Sequence, residues 1–278
     1  MLQVPLNPGF DGPRLAFLSE PSGHDELACA EIEPWVASEL LARLLVERPG
    51  SALQPVDAGR MALCDRDRLV AELYRYCFGD QIESRVRCRA CEKTFDLSFT
   101  LSSLLEDVVE RVREAQQGLV TAEASGVYTL SSGLRVRLPQ VADEKALLAA
   151  PPDRALDLLW ERCVLETTPQ ADEVGMAEPT SGARLEAEQA LEALAPVLSM
   201  DLPVSCVECG AEQLVEFDMV RFFLGALRRE RTLLVREVHC LASAYHWSHA
   251  EILGLPRSVR RAYVSLVLGE REARGFAA

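Results

Sequence analysis

Apolar residues recur at helical spacing along most of the chain, with the first such run from Pro34 to Val46. Pro34 suits the first turn of a helix, and the Pro-Gly pair that follows the run ends it. A second helix is predicted to begin at a capping Asp65 and to stop at Gly79. The lead-in of about 25 residues is rich in Pro and Gly and predicts one strand, around Arg14–Leu18.

Two stretches change from helical spacing to strict alternation of apolar and polar residues. Residues Ile82 to Phe99 alternate on both sides of a Cys-Arg-Ala-Cys sequence, and a helical pattern follows from Leu101. After Asp201 the same order returns: an alternating run, Cys-Val-Glu-Cys, a second alternating run and a helix from about Met219 to Arg229. We interpret this as one internal repeat, a hairpin with a cysteine tip followed by a helix, present twice.

The segment between the two copies is mostly helical, with one additional hairpin. Residues 167–182 lack periodicity and predict a surface loop. The other predicted elements are the hairpin Val127–Leu130 with Leu134–Leu138, two short helices between Asp143 and Cys163, and a helix from Arg184 to Leu194. Beyond the second copy we expect two helices, Leu233–Ala244 and Pro256–Leu268, joined by a turn.

Composition places the chain among folded globular proteins. It has 278 residues, of which 49% are apolar and 26% charged, enough for one large or two modest domains. No apolar run is long enough to span a membrane, and no signal peptide is recognisable, so we expect a cytoplasmic protein. The net charge of -14 disfavours general attraction to nucleic acid. Nine cysteines in a reducing compartment indicate metal binding, reactivity or core packing rather than disulfides.

The paired cysteines carry the strongest chemical signal. A Cys-x-x-Cys turn at a hairpin tip supplies two thiolates, and two such turns supply the four that a closed structural zinc site requires. The predicted ligands are Cys88, Cys91, Cys206 and Cys209. The long segment 92–205 between them implies a zinc ribbon split by an insertion. The alternatives are that either pair is a redox motif or simply two core cysteines. A redox pair follows a strand and opens a helix, whereas here strand patterns continue beyond both tips.

Three histidines, His239, His246 and His249, lie close together near the C-terminus. Their spacing does not suit a metal site, and Ser248 with Glu251 predicts a capping box at a helix start instead. No phosphate-binding loop and no nucleophile motif accompanies them. We therefore predict no catalytic residue and no enzymatic activity.

Three segments resemble the baseplate and baseplate-hub assembly proteins of contractile-tailed phages and of phage-tail-like contractile injection systems. In that family an Asp-Arg-x-x-Leu helix and a Phe-Gly-Asp turn precede a Cys-x-x-Cys strand. The matching positions here are Asp65 or Asp67, Arg68, Leu69, Phe78, Gly79, Asp80, Cys88 and Cys91. LRVRLPQVADEKALLAAPPDRALDLLWERCV is similar to the family's Arg-Leu-Pro strand and the helices after it, and EVHCLASAYHWSHAEILGLPRSVRRAYVSLV to its Trp-Ser…Arg-Arg segment. One departure is Glu92, where a glycine is common.

The resemblance implies a structural or assembly role in a baseplate, through contacts with other baseplate or tail proteins and incorporation into a tail-like particle. Self-association is left open. A candidate partner-binding patch consists of Trp247, Ile252, Leu253 and Leu255, with packing onto the preceding helix as the equal alternative. We expect an α+β protein with four parts. These are an N-terminal lead-in and helical segment (1–80), a zinc ribbon split into 81–100 and 201–218, a mainly helical insertion (101–200) and a C-terminal helical segment (219–278).

Two other functions compete with this one. A nucleic-acid-binding zinc ribbon would use the arginines at and near the first tip, although acidic residues surround the second. Those arginines are Arg66, Arg68, Arg85, Arg87 and Arg89. A thiol oxidoreductase would use either cysteine pair.

Overall fold

The computed structural model describes residues 1–6, 14–124, 126–167 and 181–275. The strands in these ranges are β1 (Leu2–Pro5), β2 (Leu15–Leu18), β3 (Gln81–Arg87), β4 (Thr94–Thr100), β5 (Val120–Ala124), β6 (Val127–Leu130), β7 (Leu134–Arg137), β8 (Val164–Thr167), β9 (Ser199–Ser205) and β10 (Glu212–Asp218). The α-helices are α1 (Gly23–Ala28), α2 (Pro34–Leu44), α3 (Leu63–Phe78), α4 (Leu101–Leu119), α5 (Val141–Ala149), α6 (Ala155–Cys163), α7 (Ser181–Leu194), α8 (Met219–Tyr245), α9 (His249–Gly254) and α10 (Arg257–Gly275).

The predicted internal repeat is present as two hairpin–helix units, β3–β4–α4 and β9–β10–α8. In each hairpin two seven-residue strands pair antiparallel over their whole length. Each helix starts directly after its hairpin. The entry is closed by the same backbone hydrogen bond in both units: Leu101 N–H donates to Asp80 O, and Met219 N–H donates to Leu198 O, each at 2.9 Å. The two units are thus alike down to single hydrogen bonds.

The main core lies where the bases of the two hairpins meet α2, α3 and α8. Phe99 and Phe217, at equivalent positions of β4 and β10, contact each other edge to face with ring centroids 5.3 Å apart. Leu73 of α3 and Phe223 of α8 are completely buried in this core. Apolar burial of this kind supplies most of the driving force for folding, so the two units are joined at their bases without any metal.

The insertion between the units has its own smaller core. The sheet β5–β6–β7–β8 packs against α7, and the predicted hairpin Val127–Leu130 with Leu134–Arg137 forms its two central strands. Strands β5 and β8 were not expected, so the insertion is helical with a four-stranded sheet rather than helices and one hairpin. Most of the predicted loop 167–182 lies outside the described residues.

Helix α3 begins at Leu63, with Ala62 in the capping position, so the expectation that Asp65 caps this helix is wrong. The Asp65 carboxylate is buried and accepts two hydrogen bonds from the Arg14 guanidinium, at 2.9 and 3.2 Å. The Asp65 carboxylate thus forms a charge pair with the segment before β2 and does not cap the helix.

Helix α8 runs unbroken from Met219 to Tyr245, whereas the sequence predicted one helix ending near Arg229 and another starting at Leu233. The stretch between Arg229 and Leu233 resembles a break between two helices because it contains the polar Glu230. In the fold the Glu230 side chain faces arginines of α10. Glu230 accepts hydrogen bonds from Arg257 and, at 2.7 Å, from Arg261. Charge neutralisation by a later helix therefore permits a polar stretch inside a continuous one.

A buried ion cluster joins α1, α8 and α10. Arg260 of α10 is completely buried and donates to Glu26 of α1 at 2.6 Å and to Glu237 of α8 at 2.7 Å. Arg257 pairs with Glu26 at 2.9 Å as well as with Glu230. Each of the three glutamates contacts two arginines. The cluster is electrically balanced, which is the condition for burying so many charges.

Candidate functional site

The four paired cysteines meet at the tips of the two hairpins, although they come from segments far apart in the chain. Cys88 and Cys91 lie in the turn between β3 and β4, and Cys206 and Cys209 lie in the turn between β9 and β10. Their sulfur atoms all lie within 4.8 Å of one another. Among the described residues, no other group of three or more His, Cys, Asp or Glu side chains is arranged to hold a metal ion. The predicted convergence of these four residues is confirmed.

Both cysteine turns have the same backbone structure. In the first turn Cys88 N–H donates to Lys93 O and Glu92 N–H to Cys88 O, at 2.9 and 3.0 Å. The second turn repeats these bonds at equivalent positions, at 2.9 and 2.8 Å. Both turns require a left-handed residue after the second cysteine: Gly210 has φ 73° and Glu92 has φ 61°. A left-handed backbone has a steric cost for glutamate that glycine avoids, so Glu92 departs from a position that favours glycine.

The sulfur geometry fits a four-coordinate metal and not a disulfide. Two sulfur–sulfur contacts join the hairpins: Cys88 Sγ to Cys209 Sγ is 3.7 Å and Cys91 Sγ to Cys206 Sγ is 3.8 Å. A tetrahedron with zinc–sulfur bonds of about 2.3 Å has sulfur–sulfur edges of about 3.8 Å. A disulfide requires sulfurs at about 2.0 Å. The contacts across the hairpins are the ones that a shared ion would bridge.

The electrostatics of the cluster favour a cation at its centre. The backbone amide of Cys91, assisted by that of Ala90, lowers the pKa of the Cys88 thiol to about 6, which favours its thiolate form. At Cys209 the Ala211 amide also favours the thiolate, but the other three cysteines and burial outweigh it and raise the pKa to about 12. Four sulfurs this close cannot all be deprotonated without a compensating positive charge, which a divalent ion supplies.

Polar contacts that the sequence did not predict clamp the two tips together. Lys93 Nζ of the first tip lies 2.7 Å from a carboxylate oxygen of Glu208 in the second. The Gln213 side chain accepts from Arg89 N–H at 2.8 Å and donates to Arg87 O at 3.2 Å. The sequence shows opposite charges at the two tips. Which of these charges pair, however, depends on how the two hairpins converge in the fold. These contacts orient the cysteine turns around the site.

The remaining cysteines and the histidines do not join the site. Cys29, Cys64, Cys163 and Cys240 are buried, and Cys77 is partly buried. Ser248 and Glu251 form the predicted capping box at the start of α9, with both hydrogen bonds present.

The candidate partner patch is split between the interior and the surface. Ile252 and Leu253 are buried between the C-terminal helices and α1, which favours for these two residues the alternative of packing onto the preceding helix. Leu255 is partly exposed, and Trp247 stacks on Tyr245 and contacts Tyr263. Partner binding at this turn stays a prediction, for which Trp247 and Leu255 retain accessible surface.

The acidic residues of the motif that precedes the first cysteine pair anchor the two units. Asp67 of α3 is buried, pairs with Arg66 and accepts a hydrogen bond at 2.9 Å from Leu198 N–H, directly before β9. Asp80 directly precedes β3 and accepts from Ser102 N–H at 3.0 Å, which fixes the first turn of α4. The Asp67 carboxylate therefore fixes the start of the second hairpin unit. The Asp80 carboxylate, at the start of the first unit, fixes the junction between its hairpin and α4.

Two of the five arginines considered for nucleic-acid binding lie inside the protein. Arg66 is buried between Asp67 and Glu144, and Arg68 is largely covered. At the tip, Arg85 pairs with Asp96 at 3.5 Å and Arg87 with Glu92 at 3.1 Å. The basic patch that the nucleic-acid-binding alternative requires therefore contains fewer exposed arginines than the sequence indicates. Acidic residues of the same hairpin largely neutralise those that remain.

Comparison with known proteins gives one match. The profile of the T4 bacteriophage base plate protein family matches residues 50–224, which is more than half of the chain and contains α3, both hairpins and both cysteine turns. We found no similar chain among curated proteins and none among solved structures. No helix in the described ranges combines the length and apolar character needed to cross a bilayer.

Proposed function

Because the chain belongs to the T4 bacteriophage base plate protein family, we propose that it is a non-enzymatic component or assembly factor of the baseplate of a contractile, phage-tail-like injection apparatus. The family match is the observation that carries this proposal. It covers the parts of the fold that build the site, from the segment before α3 to the start of α8. The work of the protein would be to hold other baseplate proteins through surface contacts.

We further propose that Cys88, Cys91, Cys206 and Cys209 bind one structural Zn²⁺. Four thiolates close the coordination sphere and leave no position for a reacting water, which suits a structural site rather than a catalytic one. The ion would rigidify the hairpin tips, where the apolar core is small and consists largely of the cysteines themselves and a few side chains such as Val86 and Phe95.

Two features argue against the competing functions. All four sulfurs gather in one cluster with contacts across the two hairpins, whereas a Cys-x-x-Cys oxidoreductase forms its bond within one motif. Arg85 and Arg87 of the first hairpin are paired with acidic residues, and the whole chain carries a net charge of -14, which opposes binding of a polyanion.

Metal analysis of the purified full-length chain tests the zinc site. We expect one zinc per chain, and four additional reactive thiols after chelation. Burial raises the pKa of Cys29 and Cys163 to about 11 and that of Cys77 to about 12, so these thiols stay protonated and slow to react at pH 8. Cys88→Ser should lose the metal, whereas Cys240→Ala, at a buried cysteine remote from the tips, should keep it. A chain that retains all its zinc after Cys88→Ser would refute these ligands.

The baseplate role is tested in the cells that produce the particle. Deletion of the gene should abolish complete baseplates in electron micrographs, and the wild-type gene should restore them. Mass spectrometry of purified particles then separates a permanent component, which is present, from an assembly factor, which is absent. Normal, functional particles in the deletion strain would overturn the proposal.

A further inference from the structure

From Arg228 onward, α8 carries basic and apolar residues along one face, on which Val238 and Ala242 are partly buried against the C-terminal core. Arg228, Arg231, Val235, Val238 and Ala242 follow one another at intervals of three and four residues and so lie along one side of the helix. Both arginines are exposed, and Val235 is 64% exposed. In the part of the chain that the structure describes, no carboxylate pairs with Arg228 or Arg231. Two free positive charges therefore stand beside an exposed valine and two partly covered apolar side chains in an acidic protein.

Helix α10 extends this face. Tyr263 contacts Tyr245 at the end of α8, with ring centroids 5.8 Å apart. Val259 and Leu266 lie about one turn before and after Tyr263 on the same side of α10, and Leu266 is 59% exposed. We call the combined area, made of Arg228, Arg231, Val235, Val238, Val259 and Leu266, the C-terminal surface.

The ion cluster explains why this surface stays apolar and basic. The glutamates of this part of α8, Glu230 and Glu237, are both turned towards arginines of α10 and are neutralised there. Burial of those carboxylates leaves the arginines on the opposite side of α8 without partners. The fold thus separates charge across the helix, with balanced pairs inside and uncompensated positive charge outside.

We infer that the C-terminal surface binds a segment of another protein that carries apolar side chains flanked by Asp or Glu. Exposed apolar side chains clustered on a surface mark protein-binding sites, and positive charges beside them select carboxylates and speed the encounter. Nucleic acid is disfavoured, because apolar side chains predominate on this face and the net charge of the chain is -14. The inference goes beyond the proposed function, because it identifies the partner by its chemistry and does not depend on the metal site.

Site-specific photo-crosslinking in the producing cells tests the inference. Val235 is replaced by p-benzoylphenylalanine in the full chain, and the same replacement at Val56, an exposed valine outside the C-terminal surface, is the matched control. The crosslinked peptides are then sequenced by mass spectrometry. We expect Val235 to give a peptide of another protein with apolar residues and at least two nearby Asp or Glu. A crosslink to nucleic acid, lipid, a second copy or a basic peptide, or a yield no higher than at Val56, overturns the inference.

Charge reversal separates electrostatic recognition from accidental contact. In the crosslinking chain, Arg228→Glu with Arg231→Glu should lower the yield by about ten-fold, and Arg89→Glu at the first tip should leave it unchanged. Both variants should keep the far-UV circular dichroism and the urea unfolding midpoint of the parent chain, which shows that they are folded. An undiminished yield with the double reversal overturns the inference. If the crosslinked protein is not a baseplate protein, the proposed function fails and the partner chemistry stands; if particles contain the chain but Val235 gives no specific crosslink, the reverse holds.

Discussion

Two clusters of polar groups each join distant parts of this chain, and the charges within them are balanced in different ways. At the hairpin tips, four sulfurs lie together with a small apolar surround and no opposite charge of their own. In the C-terminal part, three arginines and three glutamates from α1, α8 and α10 neutralise one another. The second joint is complete within the chain, whereas the first would be completed by the metal ion that we propose above. Metal supply should therefore control one joint and leave the other unchanged.

Removal of the metal should have the largest effect of all these changes, because it should disorder the first joint and leave the second intact. Metal binding contributes about 10 kcal/mol or more of folding free energy in small zinc domains, so chelation should disorder the hairpin tips. Hydrogen exchange of the full chain should show loss of protection in β3, β4, β9 and β10, with α8 and α10 still protected. Equal loss of protection in the C-terminal helices would contradict the independence of the two joints.

Arg260→Met should destabilise the second joint, the ion cluster of the C-terminal part, and leave the cysteine cluster at the hairpin tips unchanged. The substitution leaves Glu26 and Glu237 buried with one partner fewer each, and loss of one member of a buried charge cluster costs about 3–5 kcal/mol. Urea unfolding should show this loss, while the zinc content stays at one per chain. A matched exposed change, Arg236→Met, should have little effect. Stability unaltered by Arg260→Met would show that the cluster does not hold the C-terminal helices.

Gly23→Ala should strain the second joint without removing a charge. A Cβ at Gly23 would lie 2.8 Å from Leu253 Cδ2 and 3.0 Å from Arg260 Nη1, so α1 and α9 would have to move apart. We expect a loss of about 1–3 kcal/mol in unfolding free energy, as for other overpacked sites. Gly59→Ala is the control, because nothing lies within 4 Å of its Cβ position. An equal effect of the two substitutions would contradict this account.

Glu92→Gly gives the smallest expected effect and tests the likeness of the two cysteine turns. Glycine relieves the left-handed strain at φ 61° and should stabilise the first tip by about 1 kcal/mol or less. The reverse change, Gly210→Ala at φ 73°, should cost a similar amount. Competition with a zinc chelator measures both, as a modest rise and a modest fall in zinc affinity. A fall in affinity with Glu92→Gly would show that the glutamate side chain, and not the backbone, stabilises this turn.

The site was predictable from sequence because its signals are local and occur twice. Each Cys-x-x-Cys lies between alternating runs, and the second copy repeats the first in order and length. Their convergence followed from the number of sulfurs that zinc requires. Polar contacts between the tips, such as Lys93 with Glu208, depend on that convergence and could not be read from either copy alone.

The C-terminal part was harder to predict because its pattern depends on residues far apart. The polar stretch around Glu230 looks like the end of a helix until the arginines of α10 are known to neutralise it. Likewise the sequence predicted no helix around Glu26, although this residue lies on α1 and is buried against Arg257 and Arg260. Strands β5 and β8 were missed for a related reason, since they are short and acquire their structure by pairing with the predicted central hairpin.

The equal contribution of both units to the sulfur cluster sets an order of events during synthesis. Cys91 leaves the ribosome 115 residues before Cys206, which lies 3.8 Å from it in the folded protein. At about 5–20 residues per second, the first pair waits roughly 6–23 seconds for the second. Throughout this interval the two cysteines of the first pair lack two of the four proposed ligands, and their side chains are open to oxidation or to the wrong metal. We therefore expect translation speed and the reducing capacity of the cell to affect the yield of correctly assembled protein.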